Sequence, residues 1–293
     1  MATSPLHNPL DLVLPSQRDV AVRVDRAMQA ALDRASGPAC PPKLREAMRY
    51  AVFPGGGRLR PQLCLVAALA SGDRDPVTAD AAAVAVELLH CASLVHDDMP
   101  CFDDAAVRRG KPSVHAAFGE ATALLVGDAL IVQAFVELTR GAPCAALVAM
   151  LGEAAGSARG IIAGQAWECE PACDVDEYHR AKTASLFEAA SAMGALAAGA
   201  DPEPWRAFGD AIGRAYQAAD DLLDAAGDPT AMGKPTGRDQ ALGRPTVVAI
   251  AGVDGARRRV QNHVRAALDA IPPGPGEELV HAWVHRFASR AGL

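Results

Sequence analysis

With 293 residues, 50% of them hydrophobic but only 4% aromatic, the chain is long enough for one large core, and its excess of Ala, Leu and Val favours helix over strand. A net charge of −7 speaks against a binder of long nucleic acid, which carries a basic face. Seven cysteines without a paired CxxC pattern read as reduced thiols, Cys169 and Cys173 included; no secretion signal or membrane span is predicted, so the expected location is the cytoplasm.

Pro/Gly clusters near 37–42, 54–57, 71–76, 110–112, 200–204, 227–237 and 272–276 punctuate long helical segments. The stretch FPGGGRLRP places Gly55, Gly56 and Gly57 just before a predicted helix, where bare backbone N–H groups favour anions. From Val77 to His96, apolar residues such as Ala81, Val84, Leu88, Ala92 and Val95 recur at three- and four-residue steps, with Thr78 as the expected cap. Glu120 to Leu138 and Trp205 to Ala226 repeat the pattern, and no alternating strand pattern of useful length appears. These features predict one all-α domain over residues 1–293, ten or more helices around a central cavity, several apolar on most faces.

Two acidic clusters stand out against this apolar background. In YQAADDLLD, Asp220 and Asp221 lie four and three residues before Asp224, so the three share a helix face with Gln217. Carboxylates on a core helix are costly without cations, and all-oxygen donors suit Mg²⁺. In HDDMPCFDD, Asp97 and Asp98 end an apolar helix that Met99-Pro100 should break, and a turn is needed to bring Asp103 back towards Asp97. The cations Arg108, Arg109 and Lys111 follow at once, and the forked arginines suit phosphate oxygens. Acidic walls, hard ions and nearby cations describe a diphosphate site.

HDDMPCFDD with RRGKP, then GDALIVQAF, YQAADDLLD and GDPTAMGKPTGRD, together resemble the trans-isoprenyl diphosphate synthases. FPGGGRLRP, ELLHCASLVHDDMPCFDD and AGQAWE are most similar to the geranylgeranyl diphosphate synthases of bacteria that make carotenoids and bacteriochlorophyll. The resemblance implies the isoprenoid synthase fold, a homodimer, and Mg²⁺, three ions with substrate bound. It implies condensation of isopentenyl diphosphate with an allylic diphosphate. Asp97, Asp103 and Asp220 would be direct ligands, and Asp98, Asp221 and Asp224 would act through bound water or support those ligands. Arg108, Lys182 and Lys234 match residues that hold the allylic diphosphate, and Thr183 and Gln217 match polar groups facing the carbocation. Arg60, His90 and Arg109 match the isopentenyl diphosphate site.

The chain departs from the family at Gly57, where a Lys usually contacts isopentenyl diphosphate, at Ala184 and at Arg244, and its basic tail is reduced to Arg286 and Arg290. Either Arg58 or the loop backbone compensates for the missing Lys, or the affinity for isopentenyl diphosphate is lower. Leu89, Ala92 and Ser93 lie one to two turns before Asp97, and relatives that make farnesyl diphosphate commonly carry an aromatic floor at the Ala92 position. Small residues there predict a deeper cavity and a twenty-carbon product, with Phe118 and the facing helix after Glu120 as candidate stops. A farnesyl diphosphate synthase, a class I terpene cyclase or a non-catalytic partner subunit are the alternatives.

Overall fold

A computed structural model describes residues 17–53, 55–226 and 246–290. In chain order the helices are α1 (Gln17–Ala35), α2 (Pro42–Val52), α3 (Leu59–Ala70), α4 (Pro76–Asp97), α5 (Val114–Phe118), α6 (Glu120–Leu138), α7 (Cys144–Ala155), α8 (Ile161–Trp167) and α9 (Val175–His179). A π-helical turn (Arg180–Ala184) leads straight into α10 (Ser185–Ala197), followed by α11 (Glu203–Ala226), α12 (Val247–Asp269) and α13 (Glu277–Arg290). The all-α expectation holds, with more than ten helices among the described residues.

α3, α4 and α10 form the middle of the bundle. Alanines such as Ala67, Ala82, Ala85, Ala190 and Ala192 are fully buried there and let the helix backbones approach closely. α4 packs on α3, α6 and α10, and α11 packs on α10 and α12. By length and composition both α4 and α6 could cross a bilayer, which the sequence reading did not anticipate; 78% of the apolar window of α4 is buried inside the protein, against 39% for α6.

One local expectation needs correction, and one motif takes a form not foreseen from the sequence. The N-cap of α4 is Asp75, whose carboxylate accepts the Thr78 backbone N–H at 3.1 Å and the Thr78 hydroxyl at 2.6 Å. Thr78 therefore serves the cap from the first turn, a role left open to it once Pro76 fills N1, where no donor is needed. RRGKP is not a plain loop: Val107–Arg108 pairs with Lys111–Pro112 as a minimal antiparallel hairpin, β1 and β2. Its turn residues Arg109 and Gly110 have φ of 53° and 75°, the left-handed pair that a two-residue hairpin turn requires.

α1 is tied to α6 by a buried carboxylate. Glu137 is 1% exposed and accepts hydrogen bonds from Arg34 (2.5 Å), Arg140 (3.1 Å) and Gln133 (2.9 Å). Burial alone would raise the pKa of this carboxyl, but the arginine hydrogen bonds, the Arg34 charge and Gln133 outweigh it and hold it below the ordinary glutamate value. A carboxyl held low in the folded state stabilises above the unfolded pKa of about 4.3 and loses that contribution as pH falls through the folded value. Glu137→Ala is expected to cost about 1–3 kcal/mol at neutral pH and less in acid, read by urea unfolding; equal stability of the two chains at pH 7 would contradict it.

Candidate active site

The first acidic motif folds back as the sequence requires. α4 stops at Asp97, and the chain closes a turn in which the Asp103 N–H donates to the Asp97 carbonyl (2.9 Å) and the Ala105 N–H to the Asp98 carbonyl (3.0 Å). Asp97 is 7% exposed and Asp98 2%. The two carboxylates then take different partners. Asp98 is gripped by Arg108, whose Nε lies 3.0 and 3.2 Å from the two carboxylate oxygens and whose Nη2 lies 2.5 Å from one of them. Burial nevertheless raises the pKa of Asp98, the Arg108 hydrogen bond and charge opposing it and Asp97 and Asp103 adding to it. Asp97 instead accepts from Gln165 Nε2 on α8 (2.9 Å), which also donates to the Ser93 carbonyl (3.1 Å).

The second motif reaches the first through the π-helical turn. Lys182 Nζ lies 4.0 Å from Asp97 and also bonds Glu168, which accepts from the Tyr178 hydroxyl (2.5 Å). Next to it, the Thr183 hydroxyl donates to Gln217 Oε1 on α11 (2.6 Å), and Gln217 Nε2 donates to Asp221 (2.9 Å). A π turn widens the helix by one residue, and here it puts consecutive side chains against two different helices. Gly164 makes that possible on the α8 side: a Cβ there would sit 2.3 Å from the Lys182 Cα. Asp221, 2% exposed, also accepts the Val247 N–H (2.7 Å) that opens α12, so it locks α11 to α12. Asp224 is buried and Asp220 half-buried on the same helix. Among the described residues no three acidic, His or Cys side chains converge closely enough to hold a metal ion by themselves.

Arg60, His90 and Arg109 lie within electrostatic reach of one another. Arg60 is 6% exposed, and its guanidinium stacks over Phe187 (4.5 Å) and Tyr216 (5.6 Å), with Nε unpartnered. His90 is half-buried; burial first, then the charges of Arg60, Arg109, Arg108 and Arg58, hold its pKa well below the ordinary histidine value, so it is neutral at pH 7. Arg109 lies against Gly56. Arg58 does not fill the role expected of it: its guanidinium is spent on Glu87 (2.7 Å) and the Val52 carbonyl (2.6 Å), inside the protein.

Leu89, Ala92 and Ser93 are buried on α4, and Phe118 packs edge-on against Tyr50 of α2 (5.1 Å). Cys169 and Cys173 fall in the α8–α9 connection rather than on a helix, and all seven cysteines are free. Lys234 and Arg244 lie outside the described residues. Sequence reading gave no role to Gln165, Glu168 or Glu87, and counted Lys111 only among the cations behind the first motif. For Glu87 a signal existed, since a carboxylate inside an apolar helix must find a cation; Gln165 and Glu168 sit on a helix too short to show a pattern.

The family model for polyprenyl synthetase matches residues 41–272. A geranylgeranyl diphosphate synthase of Cereibacter sphaeroides is 50% identical over 273 residues, 92% of this chain and 95% of the relative. A second, from Rhodobacter capsulatus, is 48% identical over 91% of this chain and 96% of its own length. The solved geranyltransferase of Helicobacter pylori, complexed with magnesium and isoprenyl diphosphate, superimposes with a TM-score of 0.78 at 27% identity, over 94% of this chain and 99% of that one. The chain belongs to the polyprenyl synthetase family.

Proposed function

We propose that the chain is a Mg²⁺-dependent prenyltransferase of one domain, which joins isopentenyl diphosphate head-to-tail to an allylic diphosphate and releases geranylgeranyl diphosphate. The observation that supports this reading is the contact of Lys182 with Asp97 next to the chain Thr183–Gln217–Asp221, which links the segments bearing the two acidic motifs. The two curated bacterial relatives, both named geranylgeranyl diphosphate synthases, support the product.

The donor set suits a hard ion: the two motifs offer carboxylate oxygens, and phosphate oxygens and water would complete the coordination. Mg²⁺ held there would supply positive charge against the departing diphosphate, and three ions are proposed with substrate in place. Asp97, Asp103 and Asp220 are the proposed ligands. Asp98 acts by aiming Arg108, and Asp221 and Asp224 by fixing the frame of α11. Lys182, Arg108 and Lys234 hold the allylic diphosphate as it leaves, while Glu168 keeps Lys182 extended towards Asp97. The Thr183 hydroxyl and Gln217 carbonyl dipoles face the carbocation. Arg60, His90 and Arg109 hold isopentenyl diphosphate so that its double bond attacks, and the final proton passes to the released diphosphate.

Incubation with labelled isopentenyl diphosphate, Mg²⁺ and each allylic starter, followed by chromatography, is expected to give a twenty-carbon product. Product formed from the allylic diphosphate alone would instead mark a cyclase. Ala92 is proposed as the small residue that gives the product room to grow below the first motif, so Ala92→Phe is expected to stop growth at fifteen carbons; an unchanged twenty-carbon product would move the floor elsewhere.

A homodimer is part of the proposal. α6 exposes Leu124 (49%), Leu125 (57%), Val132 (62%) and Val136 (47%) along one face, apolar surface that a second copy would cover. We read α4 and α6 as bundle helices, since α4 carries Glu87 and Asp97 into the protein. Seven free thiols suit the reducing cytoplasm.

A further inference from the structure

We propose that Lys111 is a positioning residue that bolts the Arg109–Gly110 turn to the end of α2, and so sets the isopentenyl diphosphate pocket without touching substrate; this rests on the reading above. The hairpin has two residues per strand, too little to hold its own geometry in water. Its anchor is a reciprocal clamp. Lys111 Nζ donates to the Tyr50 carbonyl (2.5 Å) and the Phe53 carbonyl (2.7 Å), and it lies 3.8 Å above the Tyr50 ring. The Tyr50 hydroxyl returns a hydrogen bond to the Pro112 carbonyl (2.7 Å). The two carbonyls belong to the last turn of α2 and its cap, which lack helical donors and attract cations.

The clamp governs the two hairpin arginines unequally. Arg108 is held independently by three contacts to Asp98. Arg109 has no such grip; its guanidinium rests on Gly56, where a Cβ would come within 2.8 Å of Nη2, and its charge reaches Arg60 and His90. Phe53 lies two residues before Gly55 in sequence, so the ammonium ties the hairpin to the segment that leads into the glycine loop against which Arg109 lies. With Gly57 in place of a cation, Arg109 carries more of this pocket's charge.

Lys111→Met keeps the stem and removes the ammonium. It is expected to raise the KM for isopentenyl diphosphate about tenfold or more while leaving the KM for the allylic diphosphate within about twofold. A merely structural lysine would lower the melting temperature and move neither constant. Both constants rising together, or neither moving, overturns the proposal. Should Lys111→Met fail to fold, Tyr50→Phe removes only the bond to Pro112 and is expected to shift the same constant alone. Wild-type turnover in the same assay checks the proposed function separately. If wild type does not turn over, calorimetric titration of wild type and Lys111→Met with isopentenyl diphosphate still decides the clamp: weaker binding in the variant supports it and equal binding overturns it.

Discussion

Asp97→Asn is expected to leave the chain folded and to lower the rate of prenyl transfer about 10³-fold, the size of effect that follows loss of one preorganised electrostatic contact to a developing charge. The substitution keeps the volume of a side chain that is 7% exposed and already hydrogen-bonded to Gln165. It removes the negative charge that faces Lys182 at 4.0 Å and that the proposed ions require. The loss is expected in kcat more than in either KM, because the contact strengthens as the diphosphate departs. Steady-state kinetics across a Mg²⁺ series check it. A variant within about tenfold of wild type at saturating Mg²⁺ would remove Asp97 from the ligand set.

The second large effect is on stability. Arg58 and Glu87 form an ion pair with side chains 6% and 2% exposed, directly behind the glycine loop. Burial lowers the pKa of Arg58, yet Glu87, Cys91 and Asp25 more than restore it, so the guanidinium stays charged. Glu87→Ala leaves that charge buried and unpaired, and is expected to cost about 3–5 kcal/mol. Replacing both partners, Arg58→Met with Glu87→Leu, is expected to recover most of the loss, because a filled apolar site carries no desolvation cost. Denaturant unfolding of wild type, Arg58→Met, Glu87→Leu and the double replacement measures the coupling. Equal destabilisation by Glu87→Ala and by the double replacement would show that the pair is not coupled.

The residues that revealed themselves in sequence are those whose chemistry and periodicity agree. α4, α6 and α11 follow from apolar spacing, with bounds within a residue or two: Pro76–Asp97, Glu120–Leu138 and Glu203–Ala226. The break after Asp97 follows from Met99-Pro100, and the return of Asp103 to the Asp97 carbonyl follows from the need to bring the carboxylates together. What stayed hidden depends on partners distant in the chain. Arg108 and Asp98 read as two sides of a ligand site, yet they face each other, because a hairpin of two-residue strands turns the arginine back. No local propensity encodes the π turn that sends Lys182 to Asp97 and Thr183 to Gln217; it arises where α8, close at Gly164, and α11 converge on one segment. Arg58 looked available for substrate because its partner Glu87 lies 29 residues away.

The central claim is that Asp97 and Asp220, from helices more than a hundred residues apart, share divalent ions with one diphosphate. Crystals grown with Mn²⁺ in place of Mg²⁺ and a non-reactive allylic diphosphate analogue, measured at the manganese edge, test it most directly. The account predicts anomalous peaks within coordination distance of Asp97 and of Asp220, joined by the analogue's phosphate oxygens and with Lys182 beside them. Bound analogue with no manganese at either carboxylate, or manganese on one motif alone, would contradict it.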